Sequence, residues 1–363
     1  QYAPEVLENL IDEINKKNTM AVFGSRMITK GGALKGGMPV YKFIGNKILT
    51  FFQNIILSSN LSEFHSGYRV YKVEALNKIP FHLNANDYSF DTEIIIQFLF
   101  SNFKIAEYAI PTYYGEEISY VNGFYYAYRI MIESFKAKIQ KYNLMYDPKY
   151  DVIPEENNYL LKDYFSSPHS ETIKKIKNKS IVLDLGCNDG SLGAKLILKN
   201  QCYVIGSDSS EKHVKHKLSE FQICDLNIML PNIDYDKLDY IIILDVIEHL
   251  KSPEKFMANL YNKILYNEKV KILISTPNIS FFVIRFMLLF GSFNYGKKGI
   301  LDRTHTRLFT FSTFEKLITA SNFRIIEKKG IPPPYPLAIG KNLISRILLN
   351  INSFFIIILK SLF

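Results

Sequence analysis

Four aspartates in the second half of the chain each follow a short apolar run, and these runs alternate with helix-like segments. They are Asp184, Asp208, Asp225 and Asp245. Because the carboxyl ends of parallel strands meet at one edge of a sheet, we expect the four carboxylates to line a common crevice. A single acid of this kind is usually a solvated turn residue. Four in strand–helix rhythm instead predict a binding site for a positively charged ligand.

The turn after the first run says most about that ligand. Residues 181–190 read IVLDLGCNDG, and apolar residues at helical spacing follow, which predicts a buried strand, a glycine turn and a helix. A dinucleotide site needs G-x-G-x-x-G before its pyrophosphate. Here Asn188 replaces the second glycine, and Asp189 adds a carboxylate. S-adenosylmethionine, which has no phosphate and carries a sulfonium and an ammonium, fits better than a dinucleotide. The alternative is an ordinary turn between a strand and a helix.

The later acids have separate expected roles. Asp208 lies 24 positions after Asp184, near the spacing at which an acidic residue binds ribose hydroxyls in related sheets. Asp225 could accept a hydrogen bond from an adenine amino group. Residues 239–245 are the most apolar of the four runs, as expected of a strand at the centre of a sheet, and the segment VIEHL follows them.

Five segments of this half form a recognisable set: LDLGCNDG, VIGSDSS, LDVIEHL, ISTPN and HTRLFTFSTFEKLITASNF. Residues 160–335 thereby resemble the class I S-adenosylmethionine-dependent methyltransferases, in particular the branch with D-x-x-E-H-L after the fourth strand. Small-molecule O- and C-methyltransferases of the ubiquinone-biosynthesis type belong to this branch. The resemblance implies an α/β fold with a Rossmann-like sheet, and S-adenosylmethionine as cofactor. Asn188 departs from the family's usual glycine, but asparagine tolerates strained turns. The implied cofactor-binding residues are Asp184, Gly186, Cys187, Asn188, Gly190, Asp208, Ser209, Asp225, Leu226, Asp245 and Val246.

Two histidines are the candidate catalytic bases for an oxygen or nitrogen acceptor. His249 follows the fourth strand, and His305 lies in the segment DRTHTR. Arg303 and Arg307 could instead hold a phosphate or carboxylate of the acceptor. Histidines on such loops are more often structural, which is the alternative. No metal site is expected.

Composition limits the classes of partner. The chain has 363 residues, which predicts about two domains, and 47% of them are hydrophobic. Three cysteines without metal-ligand spacing indicate reduced thiols in the cytoplasm. The formal charge is +9, yet no aromatic and basic nucleic-acid motif occurs, so an anionic membrane surface or a phosphorylated lipid is the expected polyanion. We expect a cytoplasmic protein, with a peripheral position on the inner face of the membrane as an open alternative.

The first 140 residues contain a different set of segments: QYAPE, a strand that ends in GSR, SEFHSGYRVY, FDTE and IAEYAIPTYY, with a long apolar helix predicted at 40–57. In this order they resemble the family 2 inverting glycosyltransferases, in particular the dolichol- and polyprenyl-phosphate sugar synthases. The resemblance covers the second half of that family's catalytic domain and implies a partial GT-A-type half-domain on the acceptor side. In the family the donor-binding Asp-x-Asp motif precedes Q-x-x-P-E. We therefore expect a fragment of a longer fusion that does not transfer sugar by itself.

Two residues of this half have implied catalytic roles. Glu63 stands where the family usually has an aspartate, and the resemblance places it with Arg69 beside the acceptor phosphate and the donor sugar. Arg26 and Arg69 could pair with phosphate through their forked donors. The alternative is an internal salt bridge between Glu63 and Arg69.

The predicted domains are a partial glycosyltransferase domain at 1–140, a linker at 141–170, a methyltransferase domain at 171–335 and an apolar helix at 336–363. Prolines among polar residues mark the linker. The methyltransferase domain is expected to contain a strand at 323–327, to lack the family's last strand, and to use 281–290 as an apolar substrate cap. The terminal helix either lies at a lipid interface or packs on the protein.

These patterns predict a methyltransferase that acts on a small-molecule, sugar or lipid-linked acceptor and is fused to an incomplete glycosyltransferase. Two other functions stay open. One is a glycosyltransferase whose methyltransferase-like module only binds cofactor or serves as a scaffold, and the other is a module that binds a membrane surface.

Overall fold

The computed structural model describes residues 2–16, 18–115, 122–141, 146–152, 161–211, 214–333, 347 and 350–351. The chain forms two compact units, Gln1–Glu156 and Asn157–Phe363. Each unit has its own sheet and its own core, so each is described by itself.

The first unit has a sheet of three described strands in the order β2-β1-β3, where β1 is antiparallel to β2 and parallel to β3. Helices cover this sheet. The elements are α1 (Leu7–Asn15), β1 (Thr19–Ser25), α2 (Gly32–Lys35), α3 (Val40–Leu57), β2 (Arg69–Tyr71), α4 (Val73–Leu76), α5 (Phe90–Phe100), β3 (Lys104–Ala109) and α6 (Gly123–Lys141).

The central strand β1 separates two clusters of buried apolar side chains. Successive side chains of a strand point to opposite faces. Phe23 therefore belongs to the larger core, which contains Ile95 of α5, whereas Val22 packs with Leu10 and Ile14 of α1. The predicted helix at 40–57 is confirmed, and the segment FDTE lies at the start of α5.

Helix α6 is an element that the sequence analysis did not predict. Its buried residues are Ile130, Glu133, Ser134 and Ala137, so half of its inner face is polar. Glu133 is accommodated there because it accepts hydrogen bonds from Lys149 and Tyr150, at 3.1 and 2.9 Å. A face of this kind carries no apolar stripe that a periodicity search would find.

The second unit contains a sheet of five described parallel strands in the order β6-β5-β4-β7-β8, which confirms the predicted α/β architecture. Its elements are α7 (Pro168–Lys175), β4 (Ile181–Leu185), α8 (Ser191–Asn200), β5 (Tyr203–Asp208), β6 (Glu220–Ile223), β7 (Tyr240–Leu244), α9 (Pro253–Lys263), β8 (Lys271–Ser275), α10 (Phe282–Leu289) and α11 (Phe311–Ala320).

Both faces of this sheet are buried. Leu183 of β4 packs into a core with Phe256 of α9 and Leu317 of α11, whereas the adjacent Val182 packs on the other face with Leu196 of α8. A strand covered on both sides is apolar at most positions, which explains the apolar runs in the sequence. The arrangement places the carboxyl ends of β4, β5, β6 and β7 at one edge.

Several predicted elements differ from the structure. Residues 323–327 form no strand, because Phe323 and Ile325 pack against the core from an irregular segment. Strand β6 ends at Ile223, two residues before Asp225. The segment 281–290, which is predicted to be an apolar substrate cap, contains the helix α10, and its function as a cap stays a prediction. Most of the predicted terminal helix at 336–363 lies outside the described residues. In the described part of the chain, no helix is long and apolar enough to cross a membrane.

A pair of glycine substitutions tests the packing of the first unit. A Cβ atom at Gly36 would lie 1.9 Å from the carbonyl oxygen of Thr112, whereas one at Gly45 inside α3 would meet nothing within 4 Å. We expect Gly36→Ala to lower the free energy of unfolding by about 1–3 kcal/mol. Gly45→Ala should raise it by about 0.5–1 kcal/mol, because alanine is the better helix former. Urea unfolding followed by circular dichroism measures both, and equal effects would contradict the close approach at Thr112.

Candidate cofactor and acceptor site

The backbone conformation of the turn between β4 and α8 admits only a few residue types. Gly186, Asn188 and Gly190 all have positive φ, at 76°, 48° and 78°. A Cβ atom at Gly186 would lie 2.5 Å from a methyl group of Val246, so glycine is required there for two reasons. Asparagine is among the few other residues that adopt this conformation. The turn therefore fits the sequence interpretation of Asn188.

Backbone hydrogen bonds join this turn to the end of β5. The amides of Gly186 and Cys187 both donate to the carbonyl oxygen of Ser207, at 2.8 and 3.1 Å. The amide of Asn188 donates to the Oδ2 atom of Asp208, at 2.9 Å, and the Ser209 hydroxyl approaches Oδ1 at 3.3 Å. Asp208 is thereby held at the mouth of the turn. Its carboxylate keeps acceptor capacity for a ligand, because each oxygen can accept two hydrogen bonds.

Asp184 is buried beneath this carboxylate, with a relative exposure of 3%, and its Oδ2 atom has no hydrogen-bond partner. Burial and the negative charge of Asp208 raise the pKa of Asp184 to about 7. Among the described residues, neither aspartate makes an ion pair. A cation that entered this crevice would relieve the repulsion and favour the ionised form of Asp184. The orphaned oxygen therefore fits a positively charged ligand such as S-adenosylmethionine.

Asp189, whose charge suggested a contact with a cationic ligand, makes hydrogen bonds within the protein instead. Its Oδ1 atom accepts a hydrogen bond from the amide of Ser191 at 3.0 Å, which satisfies the start of α8. Its carbonyl oxygen accepts from the amides of Lys215 and His216. Asp189 thus holds the turn and the helix together.

Asp225 and Leu226 lie just after the edge strand β6. The Oδ1 atom of Asp225 accepts from the backbone and side-chain nitrogens of Asn227, at 2.9 and 3.1 Å, so one carboxylate oxygen forms a local turn. The side chain of Leu226 packs partly against the core. The side-chain oxygen of Asn227 accepts from the amide of Lys251 at 2.8 Å, which ties this loop to the segment after β7.

Asp245 follows β7 with a φ of 53°. Its Oδ1 atom accepts a hydrogen bond from the Ser275 hydroxyl at 2.8 Å, and its Oδ2 atom lies 4.0 Å from Nζ of Lys162. The next side chain, Val246, contacts Gly186 across the site. The predicted cofactor residues therefore lie on four adjoining strand ends of one sheet, as the sequence analysis expected, and their roles remain predictions.

The two predicted histidines meet in space although 56 residues separate them. The rings of His249 and His305 lie edge to face, with their centroids 4.8 Å apart. The backbone brings them together, because the carbonyl oxygen of Glu248 accepts from the amides of Thr306 and Arg307 at 2.8 and 3.1 Å. Burial and the neighbouring charge of His249 lower the pKa of His305.

Glu248 is a member of this group that the sequence analysis did not single out. Its side chain is buried, and both carboxylate oxygens lack a hydrogen-bond partner. Burial and the charge of Asp245 raise the pKa of Glu248 to about 8. In the sequence, the indication of a role for Glu248 was its position next to His249. His305 joins these two residues only in the folded structure. Arg307, one of the predicted anion-binding residues, pairs with Glu254 at 3.3 Å.

In the first unit, Glu63 and Arg69 occupy separate ion pairs. Glu63 is buried and accepts hydrogen bonds from the Arg26 guanidinium and from Asn46. Arg69 pairs with Asp91 at 2.9 Å. The proposed salt bridge between Glu63 and Arg69 is therefore wrong, because each side chain has a nearer partner. Their roles in catalysis stay predictions.

Comparisons with known proteins identify the second unit. Residues 159–328 match the family model described as "Methyltransferase domain". The chain therefore contains a methyltransferase domain, as predicted. S-adenosylmethionine, the predicted cofactor, is the one named for solved structures that are similar to this chain. Among solved structures, an S-adenosylmethionine-dependent methyltransferase from Archaeoglobus fulgidus is 22% identical, with a TM-score of 0.35 over 53% of this chain and 86% of that one. Phosphoethanolamine N-methyltransferase 2 from Haemonchus contortus, in complex with S-adenosyl-L-methionine, is 15% identical, with a TM-score of 0.32 over 52% of this chain and 43% of that one.

Two curated relatives share a shorter stretch. An uncharacterized protein of Methanocaldococcus jannaschii, MJ1222, is 31% identical over 116 residues, which are 32% of this chain and 47% of that protein. The low-salt glycan biosynthesis hexosyltransferase Agl6 of Haloferax volcanii is 29% identical over 117 residues, which are 32% of this chain and 27% of that protein. The chain thus spans less than half the length of the curated relatives that it matches.

The raised pKa of Asp184 predicts a dependence of stability on pH. The folded carboxyl has a pKa of about 7 against an ordinary 3.8, so between these values the native state retains a proton that the unfolded chain has lost. The wild type should therefore lose stability relative to Asp184→Asn as the pH rises from about 4 to about 7, by on the order of a few kcal/mol. Urea unfolding at stepped pH measures this difference.

Asp208→Asn provides the control for that measurement. Removing the second charge lowers the pKa of Asp184, so Asp184→Asn made in the Asp208→Asn background should show a smaller dependence on pH. A difference between wild type and Asp184→Asn that stays constant with pH would contradict the buried, uncompensated state of Asp184.

Proposed function

We propose that this chain binds S-adenosylmethionine at the carboxyl ends of β4 to β7 and transfers its methyl group to a small-molecule, sugar or lipid-linked acceptor. The observation that carries the proposal is the buried carboxylate of Asp184, with an oxygen atom that has no partner, directly beside the charge of Asp208. Two like charges at the open edge of a parallel sheet favour a cationic ligand.

The residues that would hold the cofactor follow from their positions. Asp208, fixed by the amide of Asn188, would accept hydrogen bonds from the ribose hydroxyls. Asp225 and Leu226 would bind the adenine ring, the former through its amino group. The remaining contacts would come from Gly186, Cys187, Asn188, Gly190, Ser209, Asp245 and Val246. Bound S-adenosylmethionine would supply a methyl group on a sulfonium, which is already a good leaving group.

The acceptor would lie on the side of β7 and β8. His249 and His305 are on the loops there, and either imidazole could take a proton from an acceptor hydroxyl or amine. Helix α10 exposes the apolar side chains of Phe286 and Leu289, with relative exposures of 62% and 78%. An exposed apolar helix after β8 supports an acceptor with an aromatic or lipid part, and the net charge of +9 supports an anionic lipid surface as its location.

The first test is calorimetric titration of the full chain with S-adenosylmethionine. Asp208→Asn should weaken binding about 10- to 100-fold, because an amide nitrogen cannot accept a hydroxyl hydrogen bond that a carboxylate accepts. Asp236→Asn is the matched control, since Asp236 is exposed in the same unit, and it should bind as the wild type does. A folded wild type that binds no S-adenosylmethionine would refute the proposal.

The second measurement separates an enzyme from a cofactor-binding scaffold. Radiolabelled S-adenosylmethionine is incubated with the chain and a glycolipid extract, and label in the lipid fraction is counted. Methyl transfer supports the proposal. Retained binding without transfer to any fraction would favour the scaffold function instead.

We infer for the first unit a relation to the acceptor side of a polyprenyl-phosphate glycosyltransferase. Its support is the set of segments from QYAPE to IAEYAIPTYY. One curated relative that is similar to 117 residues of the chain is named as a hexosyltransferase, which agrees with such a relation. Phosphate would have to displace internal partners, because Arg26 is bonded to Glu63, and Arg69 to Asp91 and to the carbonyl oxygen of Phe64.

Flotation with vesicles that contain polyprenyl phosphate tests this relation. The chain should float with these vesicles and not with vesicles that contain the uncharged polyprenol. Arg69→Gln should abolish the difference, whereas Arg129→Gln, which removes an exposed pair with Asp87, should preserve it. Equal flotation with both lipids would remove the support for a phosphate site. Circular dichroism establishes that each variant is folded.

A further inference from the structure

A lysine from the segment before α7 approaches one of the acids at the strand ends. Nζ of Lys162 lies 4.0 Å from Oδ2 of Asp245, and the two side chains keep 30% and 38% of their surface exposed. In the described part of the chain, no other cationic side chain pairs with any of the four strand-end acids. Sequence patterns gave Lys162 no role, because it lies in the predicted linker at 141–170.

Residues 161–167, which we call the strap, hold the backbone of Lys162 on both sides. The Lys162 amide donates to Nδ1 of His169 at 3.1 Å, and the Ser167 hydroxyl donates to the Lys162 carbonyl oxygen. Burial and the charge of Lys162 lower the pKa of His169 to about 4. The imidazole is therefore neutral near pH 7, and its Nδ1 atom is free of a proton and can accept this hydrogen bond.

The strap is also fixed to helix α8. Leu161 packs against the core cluster that contains Leu196 of α8. Asp163 pairs with Lys195 of the same helix at 3.1 Å. Contacts on both sides of Lys162 thus place its side chain near Asp245, without any need for the pair between the two.

The pair itself has the geometry of an open site. Oδ1 of Asp245 accepts from the Ser275 hydroxyl at 2.8 Å, which leaves Oδ2 as the oxygen that faces Lys162. A separation of 4.0 Å is too long for a hydrogen bond between them. A partly exposed pair of this kind stabilises a fold little, because water screens both charges. Stabilisation of the strap therefore explains the pair poorly.

The chemistry of the predicted cofactor supplies a better explanation. S-adenosylmethionine ends in an α-amino acid group, which carries an ammonium and a carboxylate on the same carbon atom. The predicted cofactor residues include four aspartates but no lysine or arginine, so they offer the ammonium an anion and the carboxylate no cation. A carboxylate and an ammonium side by side are the electrostatic complement of such a zwitterion.

We propose that Asp245 and Lys162 together bind the α-amino acid group of S-adenosylmethionine. Oδ2 of Asp245 accepts from the cofactor ammonium, and Nζ of Lys162 donates to the cofactor carboxylate. One screened ion pair is thereby replaced by two charge-assisted hydrogen bonds, which are the stronger kind. This inference rests on the proposed function, since it assigns two partners to the cofactor named there.

The assignment also gives the strap a task. Lys162 belongs to the strap and Asp245 to the end of β7, so the bound zwitterion would bridge the two elements. A ligand that lacks the carboxylate would leave Lys162 without its new partner and would bind more weakly. Lys162 is in this sense a specificity-determining residue, which selects ligands that carry a complete amino acid group.

The test compares two ligands that differ in the carboxylate alone. Full-length protein is titrated calorimetrically with S-adenosylmethionine and with decarboxylated S-adenosylmethionine, which retains the adenosine, the sulfonium and the ammonium. The wild type should bind S-adenosylmethionine about 10- to 100-fold more tightly, because a hydrogen bond between charged groups is lost with the carboxylate.

Variants assign this difference to Lys162. In Lys162→Met the two affinities should agree within about twofold, because the carboxylate then has no cation to meet. Lys162→Arg keeps the charge and should restore the preference. Lys199→Met is the matched control, since Lys199 is an exposed lysine of α8 in the same unit, and it should discriminate as the wild type does. Circular dichroism establishes that each variant is folded.

Two outcomes would overturn the inference. One is a wild type that binds both ligands equally. The other is a Lys162→Met variant that keeps the full preference, including the case in which both ligands weaken by the same factor, since that result assigns Lys162 to the structure of the strap. A wild type that binds neither ligand would instead refute the proposed function, so the two failures are distinguishable.

Discussion

The site depends on one constraint, which is that the parallel register of β4 and β5 holds the buried carboxyl group of Asp184 near the carboxylate of Asp208. Asp184 pairs with Gly206 in that register, and Asp208 lies at the end of the adjacent strand. Each carboxylate loses hydration on folding, and the charge of one opposes that of the other. Because no cationic side chain of the described residues pairs with Asp184 or Asp208, the two carboxyl groups favour a cationic ligand.

The surrounding backbone is arranged around this pair. The turns after β4 and β7 both use left-handed residues, and two of these, Asn188 and Asp245, are not glycine. Such conformations persist only where the surroundings impose them. Here the imposing contacts are the hydrogen bond from Asn188 to Asp208 and the hydrogen bond from the Ser275 hydroxyl to Asp245. Strand pairing and turn geometry therefore position the same few acids that the proposed cofactor would contact.

The buried acid Glu63 of the first unit differs from Asp184 in its hydrogen-bond partners. Glu63 is buried, as Asp184 is, but it accepts hydrogen bonds from Arg26 and Asn46, so its charge is compensated within the unit. Breaking such a pair leaves an unpaired buried charge, which is costly. The buried acids of the second unit differ from Glu63, because Oδ2 of Asp184 and both carboxyl oxygens of Glu248 lack a hydrogen-bond partner.

The sequence by itself determined the parallel sheet of the second unit and the acids at its strand ends. Runs such as 239–245 have the composition expected of a strand that is buried on both faces, and an acidic residue follows or ends each of these strands. It also determined the long helix α3, because residues of one helix interact locally. It did not reveal that residues 323–327 form no strand, because their apolar side chains pack against the core without strand pairing. It also did not predict α6, whose inner face is half polar.

Only the tertiary structure decided which polar groups meet. Arg26 and Glu63 are 37 residues apart and His249 and His305 are 56 apart, so no local pattern links either pair. The partner of Glu63 could not be read from a nearby arginine, because Arg69 of β2 pairs with Asp91 of α5 instead. Strand periodicity arises between neighbours in the chain, whereas ion pairs and ligand clusters arise between neighbours in space, and the latter exist only once the chain has folded.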